Sequence, residues 1–161
     1  MFVTIVSWHL SKWYQKSKNR KRLLTSFKRA VVITGCDSGF GHNIAHELNE
    51  QGFRVYAIVM DPQSTGAKDL LTGAGFEGKT KVMKMDVTDD EEVKGVYEQI
   101  KSDLQQNGEE LWAVVNNAGI VTFGPLDWGS IEKYKKIFDV NTFGIARVTR
   151  AFLPLIRGSK G

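Results

Sequence analysis

The chain has 161 residues, of which 42% are hydrophobic and 25% charged, and it contains one cysteine. These values are typical of a globular domain and exclude a disordered, collagen-like or disulfide-stabilised chain. The net charge of +4 is unevenly distributed, because residues 1–30 contain eight basic residues and no acidic one. The rest of the chain is mildly acidic, which argues against a nucleic-acid-binding domain.

Residues 1–29 are interpreted as a basic, aromatic leader, ahead of a folded domain over residues 30–161. The apolar start of the leader is much shorter than the ~20 residues that span a bilayer. No small-residue cleavage site follows it, which argues against a secretory signal. Its aromatic and basic side chains favour association with a membrane surface. A mitochondrial targeting segment and a solvated, disordered tail are the two alternatives.

Apolar runs and helical periodicity predict a regular alternation of strands and helices after the leader. The predicted strands are residues 30–34, 54–59, 80–85 and 111–115. The predicted helices are residues 39–51 and 68–71, a helix opened by a capping box at Thr88, a helix capped by Ser130, and one around residues 143–155. This order predicts an α/β domain, a Rossmann-type doubly wound parallel sheet that is incomplete, with the first four strands and their helices.

A glycine-rich turn joins the first predicted strand to the first predicted helix, and it reads TGCDSGFG over residues 34–41. A helix N-terminus offers free N–H donors and a positive dipole end, which suit a pyrophosphate. Gly35 would make the sharp turn, Gly39 would let the backbone approach the phosphates, and Gly41 would let the helix pack on the strand. No Lys-Ser/Thr pair follows the glycines, so the turn is not a Walker A loop.

Three further motifs accompany this turn in the order expected of one family. Asp86-Val87 follows the third strand, residues 116–119 read NNAG after the fourth strand, and Asn141 comes later. With the spacing TGxxxGxG, they make the chain resemble the short-chain dehydrogenase/reductase family over everything after the leader. Residues 34–41, 111–119 and 152–161 are similar to the subgroup of 17β-hydroxysteroid, microsomal retinol and D-β-hydroxybutyrate dehydrogenases.

The resemblance implies a role for each matching residue. In the family, the residue at Asp86 accepts a hydrogen bond from the adenine amino group, Val87 supplies backbone beside it, and residues 117–119 line the adenosine ribose. Asn141 matches the catalytic asparagine, which holds a proton-relay water. The cofactor-binding residues implied in this way are Thr34, Gly35, Ser38, Gly39, Phe40, Gly41, Asp86, Val87, Asn117, Ala118 and Gly119.

NAD is the expected cofactor, with NADP as the alternative. The NAD-selecting acid of the family ends the second strand, where this chain has Val59, and Asp61 follows two residues later. No Lys or Arg stands at Ser38 or directly after Val59 to pair with a 2′-phosphate. Asp37 and Asp61 are expected to repel that phosphate.

The catalytic serine and Tyr-x-x-x-Lys of the family follow a fifth strand, and the chain ends before one. Tyr-x-x-x-Lys strings occur at Tyr14 and Tyr97, but the first lies in the leader and the second at a core position upstream of Asn117. We therefore expect a truncated chain that is inactive alone, although the complete form is expected to be active. An uncovered fourth strand also predicts a marginal or aggregation-prone domain.

The resemblance implies hydride transfer between an alcohol carbon and a nicotinamide ring, with a tyrosine of lowered pKa as general base. The expected substrate is a lipophilic alcohol, a steroid or retinol, acted on at the endoplasmic reticulum membrane by a homo-oligomer. D-β-hydroxybutyrate is the alternative substrate, which a mitochondrial leader would favour. A hypothesis of another class is an inactive protein that binds a nucleotide or a partner chain.

Two other features invite a chemical interpretation. His42 and His46 are four residues apart on one predicted helix, a spacing that metal ligands use. A zinc site usually needs a third protein ligand, and no HExxH motif is present, so we expect a helix-surface pair and no metal site. Cys36 is interpreted as a small residue in a tight turn rather than a redox thiol.

Overall fold

The computed structural model describes residues 26–72 and 79–159. Predictions for the leader up to residue 25 and for residues 160–161 lie outside the described residues. The elements alternate along the chain as β1 (Arg29–Thr34), α1 (Gly39–Glu50), β2 (Arg54–Val59), α2 (Thr65–Thr72), β3 (Thr80–Lys84), α3 (Asp90–Asn107), β4 (Glu110–Val115), α4 (Ile131–Phe138) and α5 (Ile145–Ser159). A 3₁₀ turn (Leu126–Trp128) precedes α4, and a π-helical turn (Asp139–Gly144) joins α4 to α5.

The four strands form one parallel sheet in the order β3-β2-β1-β4. Each strand begins and ends within one residue of its predicted bounds. The predicted Rossmann-type, doubly wound sheet of four strands is therefore confirmed. Strand order reverses between β1 and β4, and open α/β sheets bind ligands at the carboxyl ends of their strands at such a point.

Alternate residues of β1 belong to two separate cores, one on each face of the sheet. Ala30 and Val32 pack in the core that includes α3 and α5. Val31 and Ile33 pack in the core that includes α1 and α2. Helices on both faces explain why the central strand is an unbroken apolar run rather than an alternating one.

The helix starts differ from prediction at two places. Helix α2 is longer than the predicted 68–71, and the Ser64 hydroxyl accepts a hydrogen bond from the N–H of Ala67 at 3.2 Å near its start. The predicted capping box at Thr88 is wrong, because Asp89 is the N-cap and accepts from the N–H groups of Glu91 and Glu92. A carboxylate there also stabilises the positive end of the helix dipole. No helix in the described segments is long and apolar enough to cross a membrane.

A partly buried hydrogen bond joins β2 to α3. The Tyr56 ring is fully buried, and its hydroxyl donates to Asp103 Oδ2 at 2.6 Å. Lys81 forms an ion pair with the same carboxylate. Burial by itself would raise the pKa of Asp103, but hydrogen bonds from Lys81 and Tyr56 outweigh burial and hold that pKa below its ordinary value.

We expect Tyr56→Phe to lower the free energy of unfolding by about 1.5–3 kcal/mol at neutral pH, because a hydrogen bond to a charged group is lost. A lowered folded-state pKa adds stability above the unfolded pKa of about 3.9 and loses it as pH falls through the folded value. The difference between the two proteins should therefore shrink in acid. Urea unfolding of the variant and of the unchanged chain, at neutral and at acidic pH, measures this difference. Tyr97→Phe, which also deletes one tyrosine hydroxyl, is the matched control. Equal losses in the two variants would contradict the prediction.

Candidate functional site

A cleft of about 1040 Å³ opens at the carboxyl ends of the strands. Its volume is at the upper end of the range found for cofactor and small-molecule sites. The predicted cofactor residues that line the cleft are Gly35, Ser38, Asp86, Val87, Asn117, Ala118 and Gly119. The facing wall comes from α4 and the π-helical turn, including Tyr134, Phe138, Val140 and Phe143. The fold therefore brings the motifs that follow β1, β3 and β4 to one site.

Thr34 joins the end of β1 to the end of β4. Its side chain is buried, and its hydroxyl oxygen accepts hydrogen bonds from the N–H groups of Asn117 and Ala118, each at 3.0 Å. In the opposite direction, Asn117 Nδ2 donates to the carbonyl oxygens of Thr34 and Gly35, each at 2.9 Å. The Asn117 side chain thus holds the glycine-rich turn, a role that the sequence analysis did not assign to it.

Close approach between the turn and the segment after β4 requires glycine. Gly35 has a φ of +71°, and a Cβ there would lie 2.8 Å from Ala118 Cα. A Cβ on Gly41 would lie 2.3 Å from the Gly35 carbonyl oxygen. Helix α1 can therefore pack directly against the turn, as its sequence suggested.

The start of α1 is open to an anion. The Ser38 side chain is at the N-cap but makes no capping hydrogen bond, and the first turn of the helix has no acidic residue. Gly39 has a φ of +63°, and a Cβ there would meet no atom within 4 Å. The N–H groups of the first turn therefore keep the donor capacity and positive dipole that favour a phosphate.

Four predicted cofactor residues do not line the cleft itself: Thr34, Gly39, Phe40 and Gly41. Thr34 and Gly41 are buried and shape the turn through packing. The Phe40 side chain is 82% exposed on the first turn of α1. Their assignment as cofactor-binding residues stays a prediction.

Asp86 and Val87 form the floor of the cleft after β3. Asp86 Oδ1 accepts from both the N–H and the hydroxyl of Thr88 at 2.8 Å. The N–H of Asp86 donates to Glu92 at 2.7 Å. A Cβ on Gly144 would lie 2.8 Å from Val87 Cγ2, so the π-helical turn packs closely on Val87.

Asn141 lies in the π-helical turn, a geometry often found at functional sites. Its Oδ1 accepts from the Ile120 N–H at 2.9 Å, and its Nδ2 donates to the Ile120 carbonyl at 2.8 Å. The side chain therefore holds the segment after β4. Its expected role toward a catalytic water stays a prediction.

Asp37 is a site residue that the sequence analysis noted only for its charge. Its carboxylate accepts hydrogen bonds from the N–H groups of Met60 and Asp61, each at 3.0 Å. Asp37 and Met60 both line the cleft. A negative charge is therefore held where the carboxyl ends of β1 and β2 meet.

Cys36 is fully buried within the turn, and its thiol donates to the Ile33 carbonyl at 3.2 Å. Burial raises the pKa of this thiol to about 12. Because thiolate is the reactive form, we expect the folded chain to resist a disulfide reagent at mildly alkaline pH. In urea the same reagent should react with one thiol per chain, because the sequence contains one cysteine. Equal rates in the folded and unfolded chains would contradict this expectation.

Tyr97, which begins the second Tyr-x-x-x-Lys string, lies on α3 away from the cleft lining. Its ring meets the buried Phe152 ring edge-on, with centroids 5.7 Å apart. This contact fits the packing role that its position in the sequence suggested.

Comparison with known proteins agrees with the fold and with the motifs. The family model described as short chain dehydrogenase matches residues 29–161. Mitochondrial D-beta-hydroxybutyrate dehydrogenase of Bos taurus is 44% identical over 135 residues, which are 83% of this chain and 39% of that protein. Estradiol 17-beta-dehydrogenase 2 of Rattus norvegicus is 43% identical over 147 residues, 90% of this chain and 37% of that protein.

A crystal structure of a short-chain dehydrogenase from Streptomyces avermitilis has a TM-score of 0.70 and 29% identity, covering 81% of this chain and 45% of that one. The chain thus spans less than half of the length of each of these proteins. The family model covers the entire described fold, including the glycine-rich turn and the segments after β3 and β4. The chain belongs to the short-chain dehydrogenase family.

Proposed function

We propose that the described residues form the cofactor-binding half of an NAD-dependent oxidoreductase that acts on a lipophilic alcohol. One observation carries this proposal: the open start of α1 borders a cleft at the point where strand order reverses. Such a crevice, with a glycine-rich turn at a helix N-terminus, suits a dinucleotide.

The residues present fit that ligand. The first-turn N–H groups of α1 would hold the pyrophosphate. Gly35 and Gly39 have no side chain that would keep the pyrophosphate away from the backbone there. Asp86 Oδ2 would accept from the adenine amino group, since Oδ1 already serves Thr88. Ala118 and Gly119 would border the ribose. Bound NAD would supply the hydride acceptor, and the protein would supply binding and orientation.

The charge at Asp37 supports NAD over NADP. The carboxylate is held by the two N–H groups after β2 and cannot easily turn away from the cleft. A 2′-phosphate placed near it would meet like charge, and two unit charges 4 Å apart repel by about 1–4 kcal/mol at the dielectric of a protein surface.

Asp37→Asn is expected to raise the affinity for NADPH relative to NADH by about tenfold, which corresponds to 1.4 kcal/mol. The amide oxygen can still accept from Met60 and Asp61, so the loop keeps its anchor while the charge is removed. Fluorescence titrations with both reduced cofactors measure the ratio. Glu98→Gln, which removes an equal charge from α3 outside the cleft lining, is the control. An unchanged ratio in Asp37→Asn would contradict the role of this charge.

Titration of the 161-residue chain with NADH tests the proposal directly. Saturable binding of one NADH per chain is expected, and no binding at millimolar NADH would overturn the proposal. We further propose that this chain binds cofactor without turning over substrate, because the one Tyr-x-x-x-Lys string in the described segments is packed at Tyr97 against Phe152. Turnover of an alcohol by this chain would contradict that part alone.

A steroid or retinol is the proposed substrate, and D-β-hydroxybutyrate is the second candidate. The steroid is supported by the 43% identity to estradiol 17-beta-dehydrogenase 2, and the hydroxy acid by the 44% identity to D-beta-hydroxybutyrate dehydrogenase. The test is to compare turnover of estradiol, retinol and D-β-hydroxybutyrate. It uses a longer chain that includes the family's Tyr-x-x-x-Lys segment. If both the 161-residue chain and the longer chain bind NADH but neither turns over a substrate, the hypothesis of an inactive nucleotide-binding protein would be favoured.

Location and assembly follow from the same proposal. We propose that residues 1–29 hold the enzyme at the endoplasmic reticulum membrane, with the mitochondrion as the alternative, and that the enzyme is a homo-oligomer. The acid-free, basic and aromatic composition of this segment supports contact with anionic lipid. Imaging of the tagged chain with and without residues 1–29 would separate the two locations.

A further inference from the structure

Three potential metal ligands meet between α1 and α2, outside the lining of the cleft. His42 Nε2 lies 3.0 Å from Asp69 Oδ2, and His46 Nε2 lies 2.9 Å from the same oxygen. One ligand atom from each of the three residues lies within 4.8 Å of the others. The two histidines share a helix face because they are four residues apart, and the packing of α2 on α1 adds the carboxylate.

One atom of this cluster lacks the partner that a buried polar atom needs. His42 Nε2 is shielded from solvent and has no hydrogen-bond partner among the described residues. Its 3.0 Å approach to Asp69 Oδ2 has the distance of a hydrogen bond but not the required geometry. Such a buried, unpaired nitrogen is costly for the fold, whereas a nitrogen lone pair directed at a cation is satisfied.

We propose that His42, His46 and Asp69 bind one divalent transition-metal ion of the zinc type, with water in the remaining position. Imidazole nitrogens and a carboxylate oxygen are ligands that zinc accepts, and three protein ligands leave a tetrahedral ion one open position. Ligand atoms about 2.0–2.1 Å from a tetrahedral ion are about 3.4 Å apart. The two separations from Asp69, 3.0 Å and 2.9 Å, would need to widen by a few tenths of an ångström. The two histidine nitrogens, which lie within 4.8 Å of each other, would need to reach the same spacing.

The position of the site indicates a structural effect. A Cβ on Gly66 of α2 would lie 2.1 Å from the Asp37 carbonyl oxygen and 3.3 Å from His42 Cδ2. Helix α2 is thus in close contact with both the glycine-rich turn and the first metal ligand. An ion bound here would connect α2 to α1 next to the glycine-rich turn. Because it would bind the folded chain and not the unfolded one, it would raise the free energy of unfolding.

Calorimetric titration of Zn²⁺ into the chelator-treated 161-residue chain tests the proposal. One Zn²⁺ per chain is expected, with a dissociation constant in the micromolar range or tighter. His46→Gln and Asp69→Asn should each weaken Zn²⁺ binding by at least about tenfold. Removing a residue that only supports a metal ligand already costs about that much affinity, so removing a ligand should cost no less. Glu47→Gln, which removes a carboxylate from the same helix outside the cluster, should bind as the unchanged chain does.

Thermal unfolding gives a second readout that does not depend on the first. Zn²⁺ should raise the unfolding midpoint of the unchanged chain and of Glu47→Gln, and should raise that of Asp69→Asn by less at the same Zn²⁺ concentration. The Asp69 side chain is half exposed, so its amide variant should keep the fold, as circular dichroism would show. No uptake at millimolar Zn²⁺ would overturn the proposal. Equal binding by the unchanged chain and both ligand variants would place the ion elsewhere and would overturn it too.

Discussion

Gly41→Ala should eliminate most of the NADH affinity of the chain. The added methyl group would lie 2.3 Å from the Gly35 carbonyl oxygen and 2.4 Å from Asn117 Nδ2. Both atoms are already hydrogen-bonded to each other, so the methyl group must separate the turn from the segment after β4. Overpacking of this kind costs about 1–3 kcal/mol, and the lost hydrogen bonds add about 1 kcal/mol each.

The expected result is a fall in NADH affinity of at least about tenfold, since the displaced turn would no longer hold the first-turn N–H groups in place, an effect of 1.4 kcal/mol or more. NADH fluorescence titration and urea unfolding measure the two effects. Gly95→Ala is the matched control, because a Cβ at this position of α3 meets nothing within 4 Å. That control should gain about 0.5–1 kcal/mol of stability and keep its NADH affinity. Unchanged NADH binding by Gly41→Ala would show that the turn does not hold the cofactor.

Thr34→Val is expected to cost about 1–3 kcal/mol of folding free energy, although the two side chains have nearly the same shape. Valine cannot accept the hydrogen bonds that the Thr34 hydroxyl accepts from the N–H groups of Asn117 and Ala118. The Asn117 N–H keeps a second acceptor, the Val115 carbonyl at 3.0 Å, whereas the partly buried Ala118 N–H loses its Thr34 acceptor. The loss of that acceptor costs about 1–3 kcal/mol. The segment after β4, which lines the cleft at Asn117 and Ala118, would then separate from the end of β1.

Thr34→Ser provides the decisive comparison, since serine keeps the hydroxyl and loses one methyl group. We expect serine to preserve most of the stability and the NADH affinity, and valine to lose both. Chemical unfolding gives the stabilities, and amide hydrogen exchange at Asn117 and Ala118 locates the loss. A valine variant at least as stable as the serine variant would contradict the role of the Thr34 hydroxyl.

Local patterns in the sequence were sufficient to predict the four strands, the glycine-rich turn and the family. Residues 30–33 are apolar because β1 is buried on both faces, and such a run can be recognised without knowing its neighbours. Gly35 and Gly39 adopt positive φ values, and glycine is the residue that does so at little cost. The order of motifs along the chain then predicted which strand ends meet, because parallel strands place their carboxyl ends at one edge.

Side-chain pairing depended on tertiary structure, since its partners lie far apart in the chain. The Asn117 amide binds a turn 82 residues earlier, and the Asn141 amide binds Ile120, 21 residues earlier. Thr88 had the form of a cap, but its hydroxyl donates to Asp86, and Asp89 is the N-cap of α3. His42 and His46 had a metal-like spacing, but the third potential ligand, Asp69, comes from another helix 23 residues further on. A helix face can be deduced from spacing alone, whereas the packing of two helices brings together residues that no local pattern connects.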